Sequence, residues 1–236
     1  MQIVVSGIPI DVERKDIKNL HTRVKPPDGH VVVSVPLEVS DAAAEAYVRM
    51  NLPAIRRSID GFRNQPRAAK RQWVSGETLY IWGVQYFLRF QSDNRRNGFR
   101  IHGREAVLSM RAESTVAQRE AYMREQYRAM LKAEIERRLP VWEEKTGLRC
   151  VSWGTKYMVT KWGTCNTDAK RLWFNVQLAQ KPMRCLDYII LHELAHLVSR
   201  RHDDAFKAIM DVHMPGWSEV RKELNDTRLD YYKTSK

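Results

Sequence analysis

Cysteine is scarce in this chain. The three present, Cys150, Cys165 and Cys185, are odd in number and show no C-x-x-C spacing, which excludes a disulfide framework and a cysteine zinc ribbon and leaves free thiols as the expectation. Long apolar runs are missing too, since no stretch approaches the roughly 18 residues that a membrane helix requires. The opening segment, MQIVVSGIPIDVERK, has neither a basic leader nor a full signal-peptide core, so no membrane association and a cytoplasmic location are expected. No low-complexity linker or internal repeat stands out. Acidic residues are outnumbered, 28 Asp and Glu against 40 Lys and Arg, for a net charge of +12.

That excess predicts a surface attractive to polyanions. Basic clusters fall at Arg56-Arg57, at Arg63, Arg67, Lys70 and Arg71, at Arg95-Arg96 with Arg100 and Arg104, and at Arg137-Arg138. Because they are spread along the chain and no nucleic-acid motif accompanies them, nucleic acid enters as a partner on charge alone.

Hydrophobic residues make up 43% of the 236 residues, with seven Trp, enough for a substantial core. Short β-rich runs, Ile3–Val5 and Val31–Val35, flank a Pro26-Pro27-Asp28-Gly29 turn and predict an opening sheet. Ser40 is an N-cap for a helical pattern from Asp41 to about Phe62, which Pro53 should break or bend. Strand character returns from Thr78 to Phe90 and runs on to about Met110, with Gly83, Asn97-Gly98 and His102-Gly103 as turns, so a meander of hairpins is the simplest account. Thr115 with Gln118 is a capping box for an amphipathic helix reaching Leu139. Arg149–Trp153, Lys156–Lys161 and Arg171–Val176 read as three strands. The expected fold class is α+β, with a β-rich part in 1–112 and a helix-rich part in 113–236.

The chemistry concentrates in His192 to His202, HELAHLVSRRH. Residues i and i+4 share a helix face, so His192 and His196 aim at one ion while Glu193 stands beside it. His202, just past the expected helix end, is the natural third ligand, and three protein ligands leave one vertex of a catalytic zinc site open. Leu186, Ile189, Ile190, Leu191, Leu194 and Leu197 make the surrounding helix apolar on nearly all sides, hence buried. The same His192-to-His202 interval occurs in metzincins, but that motif places glycine where Ser199 stands.

Two motifs resemble the YgjP-like zinc metallopeptidases, relatives of the SprT-type proteases. Lys161-Trp162-Gly163-Thr164-Cys165 is similar to the family's R-W-G-S-C segment, and HELAHL followed by His202 and Phe206 to its HELxHL and N-H-x-x-x-F blocks. The β-rich part, including Gly76–Tyr80, resembles the family as well. The resemblance implies a zincin-like minimal metallopeptidase, a short sheet packed on the HExxH helix, in the second part of the chain. It also implies Zn2+ held by His192, His196 and His202, Glu193 as acid and base, and a protein or peptide substrate. Arg201 and Lys207 depart from the family's Asn and Trp without removing a ligand.

On this reading Glu193 takes a proton from zinc-bound water, which attacks a peptide carbonyl, and returns it to the leaving amine. Tyr157, Lys161 and His213 are candidates for holding the oxyanion, Trp162 and Cys165 are packing around the site, and Leu172–Val176 is a candidate edge for a substrate strand. Rival readings are a basic nucleic-acid-associated protein, either a DNA-linked protease of SprT type or one with structural zinc, and a zinc hydrolase of a non-peptide amide.

Overall fold

The computed structural model describes residues 1–25, 29–63 and 71–226. The Pro26-Pro27-Asp28 turn, Arg67, Lys70 and the side chain of Arg63 lie outside the described residues. The structure is mixed α+β and divides into two compact units, one within 1–69 and one within 70–232.

In the first unit, β1 (Gln2–Val5) and β2 (Ile8–Lys15) form a hairpin. Its two turn residues, Ser6 and Gly7, both have positive φ, the geometry that matches strand twist in a two-residue turn. A second hairpin, β3 (His21–Lys25) and β4 (His30–Pro36), inserts so that β4 runs parallel to β2, giving the order β1-β2-β4-β3. Period-2 alternation sends Ile10, Val12, Val31, Val33 and Val35 to one face, where they meet Val48, Ile55 and Ile59 of α1 (Asp41–Arg63). That helix is continuous through Pro53, where a break or bend was expected.

The second unit opens with the same module. Strands β5 (Thr78–Ile81), β6 (Val84–Ser92), β7 (Gly98–His102) and β8 (Glu105–Met110) take the order β5-β6-β8-β7, with β6 and β8 parallel. Trp82 and Gly83 repeat the two positive-φ turn residues, and α2 (Val116–Thr146) follows as α1 follows β4. The ββββα arrangement therefore occurs twice, although the sequence shows no evident repeat. The two copies share their pattern of inward apolar positions rather than residue identities, Val5, Ile10 and Val12 in one matching Ile81, Tyr86 and Leu88 in the other. Nor is β5–β8 a simple meander. β8, with Ala106, Val107, Leu108 and Met110 all buried, takes the central place, and β7, with Arg100, Ile101 and His102 exposed, takes the edge.

The expected boundary at 112/113 falls inside this second unit. Leu79, Leu88 and Leu108 from the sheet share one apolar cluster with Met123, Leu131 and Ile135 of α2 and with Leu186 and Ile190 further on, so the chain cannot divide there without exposing a core. The capping box at Thr115 and Gln118 forms, and α2 continues past Leu139 through Pro140 to a left-handed cap at Gly147.

A third, small sheet carries the rest. β9 (Ser152–Lys156), β10 (Gly163–Asn166) and β11 (Arg171–Asn175) take the order β10-β11-β9, β11 pairing antiparallel to β10 and parallel to β9. The strand expected over Lys156–Lys161 is instead the end of β9 and a loop. A 3-10 turn, Val176–Gln180, leads to α3 (Met183–Ala195), α4 (Asp204–His213) and α5 (Trp217–Asp226). Helix α3 is locked to α2 by Asp187, which accepts from Arg138 Nη1 at 2.7 Å and from Trp142 Nε1 at 2.9 Å.

Candidate metal centre

Helix α3 is buried along most of its length, and its last turn presents His192 and Glu193, with His196 as the capping residue still in helical geometry. The helix stops there; Leu197 and Val198 lie beyond it, and Val198 is exposed. The chain then turns back so that His202, just before the Asp203 cap of α4, reaches the same spot. The candidate ligand atoms of His192, His196 and His202 all lie within 4.8 Å of one another, and the Nε2 atoms of His192 and His202 are 3.2 Å apart.

Neighbouring groups orient the rings. Nδ1–H of His196 donates to the Ser199 carbonyl at 3.0 Å, which fixes the tautomer with its Nε2 lone pair turned inward. The Tyr188 hydroxyl lies 3.3 Å from Nδ1 of His192. Tyr188 is itself stacked on Trp217 of α5, and its phenol is pushed up to about 12 by burial, so it stays neutral. Phe206, fully buried on α4, forms the floor, with its ring centroid 4.7 to 5.0 Å from all three imidazoles. Burial, then the neighbouring histidines, pushes the His192 imidazolium down to about 3 and His202 downward as well, so both rings present neutral lone pairs.

Glu193 is 3% exposed, and its Oε2 has no hydrogen-bond partner among the described residues. Desolvation raises its carboxyl to about 8, against a lowering pull from Lys161. The carboxyl sits against Gly163 of β10, where a Cβ would come within 2.9 Å of its Cγ and Cδ. Gly163 has no positive φ; glycine is needed there for room rather than for backbone conformation. Three converging imidazole nitrogens are a donor set that a divalent metal satisfies, and beside them stands a buried carboxyl oxygen with no partner among the described residues.

The cleft in front of these groups measures about 930 Å³ and is walled by β10, α3 and α5. Of the three oxyanion candidates, Lys161 lines it. Tyr157 and His213 are not among the lining residues, Tyr157 lying instead beneath the Arg124 guanidinium. Trp162 and Cys165 both line the cleft, and burial followed by Glu193 pushes the Cys165 thiol up to about 11, which keeps it protonated. Arg221 of α5 also lines it and has no ion-pair partner among the described residues. Sequence reading missed this arginine, yet it follows Trp217 by four residues and precedes Leu224 by three, so it shares their inward stripe.

Asn175 is the other residue the sequence did not single out. Fully buried at the end of β11, it donates through Nδ2 to the carbonyls of Met158 and Lys161, at 2.8 and 2.7 Å, and accepts at Oδ1 from the backbone of Gln177 and Met158. It therefore ties the loop before β10, and with it Gly163, to the 3-10 turn before α3. Asn175→Ala strands several buried backbone groups and is expected to cost about 3 kcal/mol or more in urea unfolding, with loss of metal affinity.

The family model for the YgjP-like metallopeptidase domain matches residues 18–227. The chain belongs to this family. It is a metallopeptidase family, so a metal cofactor and a peptidase role follow at that level. Among solved structures, the chain is similar to the metallopeptidase zymogen of Pyrococcus abyssi abylysin, at 16% identity over 39% of this chain and 92% of that one, with a TM-score of 0.37. It is also similar to the metallopeptidase zymogen of Methanocaldococcus jannaschii jannalysin, at 19% identity over 39% and 94%, with a TM-score of 0.36. No curated protein matches the chain. No helix among the described residues is long and apolar enough to cross a membrane.

Proposed function

We propose that this chain is a zinc-dependent peptidase of the zincin-like kind, with His192, His196 and His202 as metal ligands and Glu193 as the catalytic acid and base. The observation that carries the reading is the convergence of three imidazoles beside a buried carboxyl whose Oε2 has no partner among the described residues. Three nitrogen ligands with an open vertex suit zinc, which when bound supplies Lewis acidity that acidifies water and polarises a carbonyl.

Glu193 receives the proton of the attacking water at its carboxylate and delivers it to the departing amine. Its place in the chain next to His192 and its burial against Gly163 hold it beside the ligand set for both transfers. Gly163 and the Trp162 segment keep that carboxyl against the ligand set. Lys161 and Arg221, which both line the cleft, supply positive charge for a developing oxyanion or a substrate carboxylate.

A peptide substrate adds along an exposed strand edge. The expected edge, Leu172–Val176, is unavailable because β11 is the central strand; β10 is the edge strand on the cleft side. Three free thiols suit a reducing cytoplasmic setting.

Metal analysis tests the ligand set directly. The purified chain is expected to hold one zinc, and chelation should lower Tm by several degrees and stop cleavage of an unfolded protein such as casein, zinc restoring both. Full cleavage in the chelated protein would overturn the reading.

A further inference from the structure

Among the described residues, Tyr80 and Phe87 are the exposed Phe, Tyr or Trp side chains, 41% and 56% accessible. Both stand on the outer face of the β5–β8 sheet. Thr78 pairs with Phe87 and Tyr80 with Gln85, so by period-2 alternation Tyr80 and Phe87 are diagonal neighbours on one face. The same rows continue across β8 to β7, where Phe87 aligns with Glu105 and then His102, and Arg89 with Val107 and then Arg100. Arg104, in the β7–β8 turn, is held beside Phe87 by its carbonyl, which accepts from the Phe87 amide at 2.9 Å. Glu105 is the one acid in these rows and is paired with Arg89 at 3.5 Å.

The repeated ββββα module provides an internal comparison. By strand register, Val4 stands in the first module where Tyr80 stands in the second, Asp11 where Phe87 stands and Glu13 where Arg89 stands. The architecture thus accommodates an aliphatic residue at the first position and acids at the other two, and neither the aromatic rings nor the arginine is demanded by the fold. Exposed rings beside guanidinium groups on a sheet face are the elements with which single strands are held: bases stack on the rings and phosphates meet the cations.

We propose that this face binds single-stranded nucleic acid, Tyr80 and Phe87 stacking bases while Arg100, His102 and Arg104 meet the phosphates. The site is independent of the metal centre and of the peptidase reading. The exposed substitutions Tyr80→Ala and Phe87→Ala should leave the thermal transition unchanged.

Fluorescence anisotropy with labelled oligothymidylate and oligouridylate of about 20 nucleotides, using the full chain, tests this. Saturable binding to either at low salt, weakening as salt rises, is expected. Tyr80→Ala with Phe87→Ala should weaken it by about tenfold or more while keeping the salt slope, because stacking is not ionic. Arg100→Gln with Arg104→Gln should instead flatten the slope, by roughly 0.7 for each phosphate no longer neutralised on a single strand. Stronger binding to one oligomer assigns DNA or RNA. No saturable binding, equal binding to a duplex, equal competition by poly-glutamate, or an aromatic double variant that binds like the wild type would each overturn the proposal.

Discussion

Glu193→Gln is expected to retain its metal and lose about 10²- to 10⁴-fold in peptide hydrolysis, the range associated with a general acid–base group. The amide keeps the size of the carboxyl but cannot accept the proton. Steady-state cleavage paired with metal analysis reads both effects, and wild-type turnover in a metal-loaded variant would remove Glu193 from the mechanism. The same substitution has a second signature in metal-free protein. The Glu193 carboxyl is raised from 4.5 to about 8 by burial, so its contribution to stability is full below pH 4.5 and lost as pH rises through about 8. Wild-type apoprotein should therefore lose up to about 1.4 kcal/mol per pH unit across that window relative to Glu193→Gln. His192 acts with the opposite sign. Its pKa falls from 6.5 to about 3, so its contribution is present above pH 6.5 and is lost as acid is added. Urea denaturation of the two apoproteins from pH 4.5 to 8.5 separates the contributions.

Gly163→Ala is the second substitution with a large expected effect. The added methyl meets the Glu193 side chain at 2.9 Å, and that side chain is buried, so neither can move aside freely. Overpacking of this kind costs about 1 to 3 kcal/mol, and displacing a catalytic carboxylate by about 1 Å costs about 10²-fold in rate. Cleavage should fall by that order while the zinc content stays at one per chain, because the methyl meets Glu193 and not the imidazoles. A fully active Gly163→Ala variant would show that Glu193 does not work from the position seen here.

This glycine shows how far the sequence could be read. The Trp162-Gly163-Thr164-Cys165 segment was recognisable by resemblance, but its physical role became visible only when β10 was found alongside α3 with no space for a Cβ. The HELAHL helix was legible because a four-residue spacing is a local property. Asn175 carried no local signal, because it works through backbone groups of a loop; Arg221 had its helical spacing to Trp217 and Leu224, but nothing local shows that α5 walls the cleft. The boundary expected near residue 112 marks a change of element type within one packed unit. A change from strand to helix is visible in sequence, whereas the sharing of one core by β5–β8, α2 and α3 depends on packing between distant segments.

By itself the sequence determined the α+β character, the apolar helix bearing His192, Glu193 and His196, the cap of α2 at Thr115, and the family resemblance, since periodicity, capping and motif spacing act over a few residues. Only the tertiary structure decided that His202 and Phe206 close around that helix, that Gly163 makes room for Glu193, that β11 is central and β10 the edge, and that one ββββα module is used twice. Those outcomes depend on strand order and on how segments far apart in the chain come to lie together, and no local pattern of residues encodes either.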